Sequence, residues 1–113
     1  MKTAKLAALL LLIPLAGHAD ATSMCLQIAG TTESQCDCAS EALDAEIGDG
    51  EAALYDATGT RYLANRAAGQ GMGDAWDAAI AETAAENGMG ATELLSRMND
   101  VGKAHRAAIG SCG

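Results

Sequence analysis

Thr32-Glu33-Ser34-Gln35-Cys36-Asp37-Cys38-Ala39 carries two thiols one residue apart, and this stretch decides the fold. Thr32 with Gln35 three residues later fits a helix capping box, so a helix is expected from Glu33 with both cysteines inside it. Successive helical residues turn by about 100°, which points Cys36 and Cys38 about 200° apart. The two sulfurs cannot easily reach each other. Each can instead tie the helix to a different neighbour, and two other cysteines are at hand: Cys25 before the stretch and Cys112 near the chain's end. The expected arrangement is a helix stapled to the N-terminal segment through one sulfur and to the C-terminus through the other.

Cys25 and Cys36 flank the Gly30–Thr32 turn about symmetrically, each on the apolar stripe of its own helix. An antiparallel helix pair brings them together and leaves Cys38 for Cys112. The alternative joins Cys25 to Cys38 and Cys36 to Cys112. It shifts the hairpin contact by less than a turn and stays open at this point. By loop entropy the short bridge is worth about 3 kcal/mol and the long one about 4.5 kcal/mol.

Outward from this helix the chain reads as more helices. Val101 is the only valine, the isoleucines are scattered, and no run alternates apolar with polar residues. A first short helix is expected over Ala21–Ala29, stopped by Gly30, and a second over Glu33–Ile47 with the stripe Cys36, Ala39, Leu43, Ile47. Gly48 ends the second, and Asp49 is placed to cap a third from Glu51 to about Ala68. Gly59 interrupts that helix at a cost of about 1 kcal/mol against alanine, so a kink is expected there. Two similar hinges follow, Gly71-Met72-Gly73 and Gly88-Met89-Gly90. In each a glycine ends one helix in the left-handed conformation and the methionine packs back onto the next. The last helices are expected over Asp74–Glu86 and Ala91–Ile109. The fold class is therefore all-α: a small disulfide-stapled bundle of about four to five short helices.

Met1–Ala19 reads as a signal peptide, with Lys2 and Lys5 ahead of the apolar run Leu6–Pro14 and small residues Gly17 and Ala19 before the cut. Cleavage after Ala19 is preferred, and a second legal cut follows Ala21. The run is shorter than the roughly 20 apolar residues that span a bilayer. Residues 20–113 then form a single helical domain. The leader takes two of the seven basic residues and none of the fifteen acidic ones, leaving five against fifteen and a net charge of −10. Such a surface repels nucleic acid and anionic headgroups. Many alanines and no phenylalanine make a thin core, and four cysteines in an exported chain are most simply two disulfides. The expected location is the periplasm of a Gram-negative bacterium or the outside of the cell.

Few residues suggest chemistry. Cys36 and Cys38 with Met24, Met72, Met89, Met98 and His105 are soft or borderline ligands suited to copper. The methionines, however, are scattered, and each has a role as gap filler or staple. Disulfide oxidoreductases present Cys-x-x-Cys at a helix start, whereas here the spacing is Cys-x-Cys among Glu33, Asp37 and Glu41, whose charges raise thiol pKa values. His105, between Lys103 and Arg106, is accounted for by the preference for cations near a helix C-terminus. Glu41, Asp44, Glu46, Asp49 and Glu51 lack the spacing of a calcium loop and read as a solvated face. Tyr55, Tyr62 and Trp76 are the only aromatics and read as core anchors. Trp76, beside the glycine-rich Gly69–Gly73 stretch, is the best placed for a binding hot spot if exposed.

In size, export signal and acidic helical character the chain is similar to small acid-stress chaperones of the bacterial periplasm. That similarity is one of composition and carries no residue over. The expected function is binding and not catalysis, with Cys25, Cys36, Cys38 and Cys112 as disulfides and no catalytic residue, cofactor or metal ligand assigned. The partner is a protein or a small molecule, not nucleic acid, and membrane insertion is not expected. The alternative is a periplasmic metal-binding or redox protein using Cys36 and Cys38.

Overall fold

A computed structural model describes the backbone of residues 16–113 and the side chains from Asp20 onward. The leader assigned to Met1–Ala19 lies outside the residues whose side chains are described. Five helices follow one another: α1 Ala16–Leu26, α2 Glu33–Ile47, α3 Asp49–Ala67, α4 Met72–Glu86 and α5 Ala91–Cys112. Among the described residues there is no strand, and the chain is an all-α bundle held by two disulfides, Cys25–Cys36 and Cys38–Cys112. No described helix is long and apolar enough to cross a membrane.

The start of α2 follows from Thr32, whose hydroxyl accepts a hydrogen bond from the Gln35 amide at 3.1 Å. Only that half of the capping box forms. The Gln35 side chain donates instead to the Ile109 carbonyl at 2.9 Å, holding α2 to the end of α5 beside the Cys38–Cys112 bridge. Cys36, Ala39 and Leu43 are buried as their spacing requires, and Ser40 joins them.

Several boundaries differ from expectation. α1 closes at Leu26, before Gly30, because the Thr31 hydroxyl returns to cap it, donating to the Cys25 carbonyl at 3.0 Å and to that of Ile28 at 2.9 Å. Gly48, at φ 84°, ends α2 and is also the N-cap of α3, so Asp49 is the first residue of α3 and not its cap. At the first glycine hinge the left-handed residue is Gly69, φ 101°, while Gly71 is the N-cap of α4 with φ −66°. Met72 does not pack back there; it is 65% exposed. The second hinge behaves as expected: Gly88 is left-handed, and Met89 packs against the core that includes the fully buried Leu94. α5 continues three residues past Ile109 to Cys112, where the disulfide anchors it.

α3 runs unbroken through Gly59. A Cβ at that position would stand 2.6 Å from Met24 Cε, so the missing side chain lets α1 lie close on α3. The main core joins Leu43, Tyr55, Ile80, Leu94, Met98 and Val101, and a smaller one surrounds Cys25 and Cys36 with Ala39 and Ile109.

Candidate functional site

Where α1, α3, α4 and α5 meet, a cleft of about 700 Å³ remains open. Its walls follow from helical spacing. Tyr55, Tyr62 and Arg66 of α3 are seven and four residues apart and share one face. α5 presents Met98, Gly102, His105 and Ile109 at steps of four, three and four. Trp76 enters from α4, Met24 from α1, and Ile28 from the turn that follows α1. Gly59 leaves room for the Met24 side chain, and Gly102 lies in the wall near the Arg106 guanidinium, which would stand 4.0 Å from a Cβ there.

The aromatics interlock edge to face, the arrangement favoured by ring quadrupoles. Trp76 lies with its centroid 5.7 Å from that of Tyr62 and 6.4 Å from that of Tyr55. Its indole donates to Asn99 Oδ1 at 3.1 Å, which fixes the ring while leaving it half-buried in the cleft wall. Tyr55 also meets His105 edge-on, centroids 5.4 Å apart, with the hydroxyl 2.8 Å from Nδ1. Burial pushes the His105 pKa below its ordinary value, and the nearby Arg106 charge adds to the effect. Burial likewise raises the Tyr55 phenol, with Arg106 opposing and Asp56 assisting. Both groups are thus neutral at pH 7. The direction of that hydrogen bond follows the tautomer of the neutral ring. Among the described residues His105 Nε2 is buried without a hydrogen-bond partner, as is Arg66 Nε. Both belong to residues that line the cleft.

Charge is sorted unevenly around it. Arg66, Lys103 and Arg106, three of the five basic residues of the described chain, line the cleft, and none of the fifteen carboxylates does. Arg66 donates from Nη1 to the Gln70 carbonyl at 2.9 Å, tying α3 to the glycine-rich turn. The other two arginines are occupied elsewhere. Arg61 pairs with Glu86 at 2.6 Å and with Glu82 at 3.8 Å, and Arg97 pairs with Glu51 and Glu93.

His105 is therefore a buried cleft residue, 3% exposed and bonded to Tyr55, and not a surface cation at a helix end. Trp76 is half-buried in the cleft wall. Cys36 and Cys38 form disulfides to different partners, and no cysteine among the described residues is free. Among the described residues no three His, Cys, Asp or Glu side chains gather as a metal-binding group. Met24, Met72 and Met98 converge on the cleft with His105, while Met89 packs elsewhere. Of the acidic run, Glu51 pairs with Arg97, and Glu41, Glu46 and Asp49 are exposed. No family model, no curated protein and no solved structure matches the chain.

Proposed function

We propose that this is an exported binding protein of the periplasm or cell exterior that holds a small, largely apolar molecule in the aromatic cleft. The observation that carries the reading is the cleft itself. Its volume falls in the range of small-molecule sites, about 300–1,000 Å³, and it combines apolar walls with a few polar groups in the same way. It also holds both tyrosines and the single tryptophan of a chain that has no phenylalanine. Two disulfides suit an oxidising compartment. Binding is favoured over catalysis because the cysteines offer no thiol nucleophile and His105 is oriented by a neutral phenol and not by a carboxylate.

The test uses Trp76 as the reporter, since it is the only tryptophan and lines the cleft. Titration of the purified protein with 1-decanol is expected to shift Trp76 emission saturably. It should also raise the melting temperature, with about 2.7 kcal/mol of added stability at a hundredfold excess over Kd. Failure of 1-decanol, decanoate and decyltrimethylammonium alike to move the emission or the melting temperature would overturn the reading.

A further inference from the structure

The cleft's chemistry says more than that its guest is apolar. In a chain with three carboxylates to every basic residue outside the leader, a random cavity would be expected to meet carboxylates first. This one meets none and gathers Arg66, Lys103 and Arg106. Among the described residues no ion pair neutralises these three, whereas Arg61 and Arg97 each hold two carboxylates. Arg66 Nε, a buried donor of a residue in the same walls, lacks a partner among the described residues. Such a donor is costly when left unpaired, and one satisfied by a charged acceptor forms one of the stronger hydrogen bonds. At the mouth Ile28 and Met72 remain exposed, at 45% and 65%, offering apolar surface to a chain or ring that leaves the head group.

We propose that the cleft binds a small amphiphilic anion, its carboxylate held among Arg66, Lys103 and Arg106 and its apolar body against Trp76 and the methionines. This rests on the cleft being the binding site and adds the class of ligand. The same charges disfavour a copper ion at the methionine-lined wall, since a metal cation would enter beside three fixed positive charges. Arg66 and Arg106 suit a carboxylate especially, because the guanidinium offers it paired N–H donors.

Three decyl compounds separate the possibilities: decanoate, 1-decanol and decyltrimethylammonium, each titrated below its micelle concentration with Trp76 emission as the signal. Decanoate is expected to bind at least about tenfold more tightly than 1-decanol, with decyltrimethylammonium the weakest. The double variant Lys103→Gln, Arg106→Gln alters two exposed side chains, so the fold should survive. It should bring decanoate to within about threefold of 1-decanol. Arg97→Gln, on the other side of α5, should preserve the preference. If 1-decanol binds as tightly as decanoate to the unaltered protein, the anion proposal is overturned while the cleft reading stands. If none of the three binds, both are overturned. Capture by phosphatidylglycerol vesicles without binding of monomeric decanoate would assign the basic patch to a membrane surface and overturn the proposal.

Discussion

The two sides of α5 are lined oppositely. On one, Lys103 and Arg106 open onto the aromatic cleft with no carboxylate in its walls. On the other, a smaller hollow of about 340 Å³ is lined by Glu46, Glu51 and Asp100, and its one cation, Arg97, is already paired with Glu51 and Glu93. Both hollows lie against the same helix in the same acidic protein, so overall composition cannot account for the difference. Placement does. The acid-lined side is balanced internally, and its ion pairs are partly exposed contacts of the kind worth up to about 1 kcal/mol. The base-lined side has no such balance among the described residues: its three cations form no ion pair there.

The disulfides divide along the same line and give the largest expected effect. Cys25–Cys36 is fully buried, and Cys25 is part of the cleft wall. Cys38–Cys112 joins one exposed and one half-buried residue and closes the longer loop, with sequence separations of 74 against 11. Paired alanine replacement of Cys38 and Cys112 should cost about 4.5 kcal/mol in urea melts yet preserve ligand binding wherever the variant is folded. Replacing Cys25 and Cys36 should cost about 3 kcal/mol from the loop, plus lost packing, and should abolish the Trp76 response. Retention of full affinity without the buried bridge would show that the position of α1 does not shape the cleft.

A smaller effect comes from pH. His105 has its pKa depressed by burial and by Arg106, so the unfolded chain takes up a proton first as pH falls. Its contribution to stability is complete above about pH 6.5 and declines below it, by no more than about 1.4 kcal/mol per pH unit within the window. Melting temperatures measured from pH 8 to pH 5.5 should therefore fall more for the natural protein than for His105→Gln. Parallel curves would mean that His105 titrates alike folded and unfolded.

The helices were legible because their signals are local. Thr32 with Gln35, the glycines after Ile47 and Glu86, and the stripe through Leu43 each act within a few residues, and the Cys-x-Cys spacing pointed to two different partners. The misplacements were also local. Gly48 capped both α2 and α3, a double duty that spacing does not reveal, and Gln35 was drawn from its own helix start by a carbonyl 74 residues away. The cleft was hidden for the opposite reason. Tyr55 and His105 are 50 residues apart, and each has a sufficient local explanation, as core anchor and as helix-end cation. One signal was present: at about 100° per residue, Arg97 and Arg106 fall about 180° apart on α5 while Lys103 and Arg106 fall about 60° apart. The sorting of charge around α5 could thus have been drawn before any contact was known.

The central claim is that the base-lined side of α5 is the binding face. Amide and indole chemical shifts, followed by two-dimensional NMR as decanoate is added, test it most directly. The account predicts saturable shifts of the Trp76 indole N–H and of the backbone amides around Met24, Arg66, Lys103 and His105, with Glu46, Glu51 and Asp100 unmoved. Shifts centred on the acid-lined hollow, or spread evenly over the helices, would contradict it.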